Sequence, residues 1–269
     1  MSEVDPLLID ATTKIFEDLS DPQTLNSAKN DDWRFALWSA LEESGLTLAW
    51  VPSKNGGSGA TLADGFSILE VAGKFAVPIP LGETLLAGWL LSQGEINSPA
   101  GMMTIAPVRP RDKIELTAEN TLTGSVFGIP FASSVANIAV IANKDDRLYI
   151  ALVSSKDCTI TSKAGLSGDS RDTITFLNTQ PIQVSPAPKN MSTQDLHLMG
   201  ATVRSMQISG ALQSILKLAT DYAQERVAFE KQISKFQAVQ HNLAKLANET
   251  AVAIAAAGSA MDTINDLDT

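Results

Sequence analysis

The chain has 269 residues, 44% hydrophobic, 19% charged and 6% aromatic, enough apolar material for a sizeable core and for about two compact units, and too much for intrinsic disorder. Twenty Lys and Arg against 30 Asp and Glu leave a net charge of −10, a field that repels phosphate backbones and excludes a general nucleic-acid binder. The longest apolar stretch, Ala251 to Met261, falls short of the ~20 residues that span a bilayer, and a lone Cys158 with only His197 and His241 excludes intrachain disulfides and Cys/His zinc sites.

The N-terminus, MSEVDPLLID, is acidic where a secretory or mitochondrial leader needs basic residues, so the expected location is cytoplasmic. Asp5 before Pro6 predicts a capped helix carrying Leu7, Leu8, Ala11, Ile15 and Leu19. A second helix starts after Asp31 or Asp32, carries Phe35, Leu37, Trp38 and Leu41 on its apolar pattern, and stops at Gly45. Thr61 and Asp64 resemble a capping box for a third, with Leu62, Phe66, Leu69 and Phe75, ending before Pro78. A fourth runs from about Leu81 to Gln93 and ends at Gly94.

The texture changes near Ser98. MMTIA, KIELT, ANIAVIA, RLYIALV and DTITFL are short β-prone runs separated by turn residues, as in a small antiparallel sheet. QPIQVSPAPKN, with three prolines, reads as a linker. Helical spacing then returns in a stripe of Ile208, Ala211, Leu212, Ile215, Ala219 and Tyr222. A last helix from about Lys235 places Phe236, Val239, Leu243 and Leu246 at alternating spacings of 3 and 4 before turning Ala-rich. The expected domains are a helical one over 1–97, a β-domain over 98–185 and a partial helical one over 190–269.

Generic motifs return little chemistry. NGGSGAT at 55–61 lacks the Gly-Lys-Ser/Thr ending of a phosphate loop and reads as a turn whose glycines supply positive φ. GLSGDS at 165–170 comes near a nucleophile elbow, but Asp169 replaces the closing glycine, leaving a surface turn. His197 and His241 read as structural or solvated, and Trp33, Trp38, Trp50 and Trp89 as core anchors.

One stretch is different: YAQERVAFEKQISKFQAVQHNLAKLA, from Tyr222 to Ala247. It resembles the helix signature of the FAD-dependent acyl-CoA dehydrogenase family, with Tyr222, Arg226, Phe229, Ile233, Phe236, Gln237, Gln240, Leu243 and Ala244 in register. The loop running from Gly45 through Pro52 to Gly59, the Glu70 and Gly73 helix, and Gly124, Pro130, Ala132 and Ala136 in the strand region extend the resemblance over nearly the whole chain. It implies a fold that is mainly α with a β-domain: an N-terminal helical domain, a middle antiparallel β-domain and an incomplete C-terminal helical bundle. It also implies α,β-dehydrogenation of an acyl-CoA thioester, in which a carboxylate takes the α-proton and FAD receives the β-hydride.

The resemblance assigns three cofactor-binding residues. Arg226 reaches the FAD diphosphate of a neighbouring subunit, its bland alternative being a surface pair with Glu225 or Glu230. Phe236 and Gln237 touch the same partner-held cofactor, unless Phe236 is simply core. No metal is implied.

Three departures qualify the resemblance. TIAPVRPRDKIEL replaces the T/S-E-P-x-x-G-S-D loop, and GIPF, from Gly128 to Phe131, replaces the aromatic W-I-T/S stretch; both concern flavin contacts from this subunit itself. The catalytic glutamate is expected beyond Thr269 or near Gly200, yet no Asp or Glu occurs between Asp195 and Asp221. The chain reaches about two helices of a four-helix bundle, which predicts a homo- or hetero-oligomer, dimer or tetramer, acting on acyl-CoA, with neither nucleic acid nor membrane as partner. The competing reading is a non-catalytic structural subunit, or a truncated fragment, of a hetero-oligomeric acyl-CoA dehydrogenase.

Overall fold

The computed structural model describes residues 4–28, 32–166 and 169–267. Two compact units divide the chain, one drawn from Met1–Trp33, Leu62–Val77 and Thr202–Thr269, the other from Arg34–Thr61 and Pro78–Ala201. In chain order the elements are α1 (Pro6–Leu19), α2 (Pro22–Ser27), α3 (Asp32–Glu43), α4 (Leu62–Phe75), α5 (Leu81–Gln93), β1 (Met103–Ala106), β2 (Glu115–Leu116), β3 (Leu122–Ile129), β4 (Asn137–Lys144), β5 (Arg147–Ser154), β6 (Thr159–Thr161), β7 (Asp172–Thr179), β8 (Gln183–Pro186), α6 (Thr193–Glu225), β9 (Val227–Ala228), β10 (Lys231–Gln232) and α7 (Gln237–Leu267). The fold is helix-rich with a sheet in the middle of the chain and helices after it, the architecture the resemblance implied.

In the first unit, the Asp5 carboxylate accepts from the Leu7 N–H at 2.9 Å and so caps α1. The Asp5 N–H in turn donates to Asp64 Oδ1 at 3.0 Å, fastening the start of α1 to the first turn of α4. Phe16, fully buried, stacks on Phe75 with ring centroids 5.5 Å apart. The closest packing lies between α4 and α6. A Cβ added at Gly73 would lie 2.1 Å from the Gln207 carbonyl oxygen, and one at Gly210 would lie 1.9 Å from that of Glu70. Only a missing side chain on each helix lets the backbones approach this far. Above the contact, Glu70 Oε1 accepts from Ser209 Oγ at 2.8 Å and Gln213 Nε2 at 2.7 Å, and Ser214 Oγ donates to the Lys74 carbonyl at 2.7 Å.

In the second unit, α5 is buried on all sides from Leu81 to Leu91, in keeping with its apolar run from Leu85 to Leu91, and it takes the polar Glu83 and Thr84 into the interior with it. Thr84 ties it to β1 by accepting from the Met103 N–H at 3.0 Å and donating to the Met103 carbonyl. The sheet runs β6-β7-β3-β2-β4-β5-β8, with β1 pairing β4 off that path. Its core gathers Ile114, Leu122, Val126, Ile138, Val140, Val153, Ile174 and Phe176, each almost fully buried.

Several sequence expectations need correction. The sheet is not purely antiparallel: β1 and β2 each run parallel to β4. Part of the proline-rich linker is strand, because Gln183–Pro186 pairs with β5 at the sheet edge, where Pro186 need not donate to a further strand. Phe35 is 69% exposed, off the α3 face that buries Leu37, Trp38 and Leu41. Asp31, offered as one start of this helix, lies outside the described residues. The Ile208, Ile215 and Tyr222 stripe of α6 is also exposed; the helix buries Val203, Met206 and Ser209 instead. Trp38, Trp50 and Trp89 are core anchors, whereas Trp33 is half-buried. Phe236 precedes the last helix rather than lying on it.

Candidate functional site

The sequence-selected cofactor residues flank the short hairpin between α6 and α7, Arg226 before it and Phe236 and Gln237 after it. The Arg226 N–H closes the last turn of α6 on the Tyr222 carbonyl at 2.9 Å, and the Ile233 N–H donates to the Arg226 carbonyl at 2.8 Å. Between them β9 and β10 pair Lys231 with Ala228 and Gln232 with Val227. The two-residue turn is Phe229-Glu230, with φ of 49° and 61°, so both residues adopt the left-handed conformation of a primed hairpin turn without a glycine or asparagine to ease it. Phe229 is 90% exposed and meets Phe236 edge to face, ring centroids 6.4 Å apart at 89°.

Arg226 is exposed and, among the described residues, forms no ion pair with Glu225 or Glu230. Gln237 is exposed at the first position of α7, and Phe236 is half-buried just before it. The Val239 and Gln240 N–H groups both donate to the Phe236 carbonyl, which leaves the Gln237 and Ala238 N–H groups at the positive end of a 31-residue helix. The hairpin therefore gathers an unpaired guanidinium, a side-chain amide, an aromatic pair and free backbone donors. That donor set suits a planar ligand with an anionic diphosphate.

The end of the sheet that would carry this subunit's own flavin contacts is arranged differently. A Cβ at Gly128, whose φ is 73°, would lie 3.1 Å from Nη2 and 3.3 Å from Nε of Arg109. The same guanidinium lies 5.9 Å from the centroid of the Phe127 ring, and Asp112 Oδ2 accepts from the Phe127 N–H at 2.7 Å. The loop after β1 thus folds onto β3 and fills the space beside Gly128 with its own arginine. Neither Arg109 nor Asp112 carried a signal in the sequence, since their approach depends on the loop's path rather than on spacing.

Other candidates carry no chemistry. In the NGGSGAT loop the Gly56, Gly57, Ser58, Gly59 and Ala60 N–H groups all donate to backbone carbonyls, so none is left for a phosphate. Its Gly57 is required by close approach, a Cβ there lying 2.1 Å from the Val51 carbonyl oxygen. Ser167 and Gly168 of GLSGDS lie outside the described residues; the Gly165 N–H beside them donates to the Asp169 carbonyl at 2.7 Å, as in a turn. His197 is half-buried and His241 exposed, and among the described residues no group of His, Cys, Asp and Glu could hold a metal ion. A hollow of about 290 Å³ on β3 and β7 is lined by Thr123, Ser125, Thr175 and Leu177 and presents no titratable group. No helix of the described residues is long and apolar enough to cross a membrane.

Comparison with known proteins bears on the same segment. The family model described as acyl-CoA dehydrogenase, C-terminal domain, matches residues 193–268. The acyl-CoA dehydrogenase IpdE2 of Mycolicibacterium smegmatis is 26% identical over 251 residues, 91% of this chain and 73% of that protein. Among solved structures, a variant of the Tcur3481-Tcur3483 steroid ACAD superposes with a TM-score of 0.83 at 21% identity, covering 97% of this chain and 77% of that one. The ChsE4-ChsE5 complex from Mycobacterium tuberculosis gives 0.76 at 19% identity over 98% and 81%. Residues 193–268 thus match the acyl-CoA dehydrogenase C-terminal domain, and the chain as a whole is similar in sequence to acyl-CoA dehydrogenases and shares their fold.

Proposed function

We propose that this chain is a flavoprotein subunit of an acyl-CoA dehydrogenase, acting in FAD-dependent α,β-dehydrogenation of an acyl-CoA thioester and presenting the Arg226 hairpin to FAD held by a neighbouring subunit. The observation that carries this reading is the exposed guanidinium of Arg226, unpaired in a chain whose carboxylates outnumber its cations. When bound, the flavin accepts the hydride that leaves the acyl β-carbon. The hairpin's part is positional. Arg226 offers a planar fork to the diphosphate, Gln237 adds an amide, and the Phe229 and Phe236 rings supply an apolar edge.

A second reading is favoured by the sheet. With Arg109 filling the space beside Gly128, and α6 free of carboxylates from Leu196 to Thr220, this chain serves as a non-catalytic subunit that completes a site whose base and flavin platform belong to a partner. That arrangement makes the assembly a hetero-oligomer, and the neighbour described as a ChsE4-ChsE5 complex supports it.

The test is the visible spectrum of the purified protein together with the mass of whatever co-purifies. Flavin absorbance that bleaches on adding an acyl-CoA supports the dehydrogenase reading; flavin that appears only with a second, base-containing chain supports the subunit reading. Arg226→Ala should weaken FAD retention by about 2 kcal/mol, roughly thirtyfold, with the melting temperature unchanged. Unaltered FAD affinity would sink the assignment of Arg226.

A further inference from the structure

We infer that Lys231 is a second cation of the same anion site, forming with Arg226 a two-point clamp for the diphosphate of the bound dinucleotide. The inference rests on the reading of Arg226 given above and comes from the register of the hairpin. Lys231 lies directly opposite Ala228, and side chains directly opposite one another in an antiparallel pair share a face. Alternation along the strand puts Arg226 on the face of Ala228, and the Ile233 N–H to Arg226 carbonyl bond continues the same register. Arg226 and Lys231 are therefore diagonal neighbours on one face, at a spacing of roughly 7–8 Å that two long side chains close with ease.

Neither cation is neutralised by an ion pair among the described residues. Lys14, Lys54 and Lys217 each pair with a carboxylate, at 3.6, 3.3 and 2.6 Å. Lys231 is exposed and, among the described residues, has no such partner. Two cations facing the same way lack, among the described residues, an ion pair that would offset their mutual repulsion. An anion bound between them would supply it. The start of α7, with the Gln237 and Ala238 N–H groups unbonded, adds a third source of positive potential a few residues along the chain. The turn explains why Lys231 reaches this face: Phe229 and Glu230 both take left-handed φ, which closes the hairpin in two residues and fixes its register.

The test uses the purified protein with whatever subunit accompanies it, stripped of flavin and titrated with FAD and, separately, with riboflavin, which lacks the diphosphate. Binding is followed by flavin fluorescence at two ionic strengths. Lys231→Ala should weaken FAD about tenfold and flatten its salt dependence, leave riboflavin unchanged, and be largely rescued by Lys231→Arg. Lys235→Ala, in the turn after β10, is the control and should match the parent protein. If Lys231→Ala behaves like that control while Arg226→Ala still loses FAD, the clamp is wrong and the Arg226 reading stands. If Arg226→Ala also binds FAD normally, or the parent protein binds none, both fail.

Discussion

Helix α6 leads from one kind of structure to its opposite. Along α4 it is closed: Gly73 and Gly210 bring backbone against backbone, and Glu70 gathers the Ser209 and Gln213 donors. At its C-terminal end it is open: the hairpin holds two consecutive non-glycine residues at positive φ, an aromatic ring 90% exposed, and cations without partners. The seam obeys every local rule of packing and hydrogen bonding, while the hairpin breaks several at once. Local strain is a feature that functional sites often retain, so the contrast sets residues that hold the fold against the residues proposed to bind cofactor.

The contrast breaks most sharply at Gly210. Substituting alanine puts a Cβ 1.9 Å from the Glu70 carbonyl oxygen and 2.9 Å from the Lys74 nitrogen, and backbone atoms cannot rotate away as a side chain can. The helices must separate, at a cost of about 3 kcal/mol, even though alanine exceeds glycine in helix propensity by about 1 kcal/mol. A urea titration should show a lowered midpoint with unchanged slope. A Gly210→Ala protein as stable as its parent would mean that the seam is looser than these distances. Arg226→Ala supplies the opposite pole, costing cofactor and leaving stability alone.

This division also explains what could be read from the sequence. The helix boundaries at Pro6, Leu81 and Gln93 were legible because local chemistry decides them: a proline after a capping aspartate, a long apolar run, a closing glycine. The edge strand at Gln183–Pro186 was not, because its prolines carry a turn signal and only the partner β5 makes it a strand. The exposed Ile208, Ile215 and Tyr222 show the limit of periodicity, which finds an apolar face without saying whether anything covers it. Arg226, Phe236 and Gln237 are proposed through the family signature alone. The register that places Lys231 opposite Ala228 was hidden, since Phe229-Glu230 bears none of the residues that announce a primed turn.

A smaller effect sharpens the comparison at that turn. Glu230 has φ of 61°, a conformation glycine adopts without steric cost. Glu230→Gly should raise global stability by about 0.5 kcal/mol, the relief of strain being partly offset by the extra freedom of the unfolded chain. Paired melts of the two proteins measure it. A loss of stability would mean that the left-handed turn carries no strain and that the open region is less exceptional than its geometry.

The smallest effect concerns Cys158, which belongs to the closed kind of structure although it is half-exposed. Its Sγ contacts the Ser154 carbonyl at 3.6 Å, and burial together with the adjacent Asp157 charge pushes the thiol up to about 11 from 9.0. The neutral thiol is therefore the form the fold favours. Because the folded value lies above the unfolded one, the associated stability is fully present below about pH 9 and is lost as pH rises toward 11, leaving nothing to detect at neutral pH. Reactivity reports it instead: since the thiolate is the nucleophile, labelling of the native protein at pH 8 should be on the order of a hundredfold slower than labelling of the urea-unfolded chain. Equal rates in the two states would show that the β-domain leaves this thiol as open as the hairpin leaves Arg226.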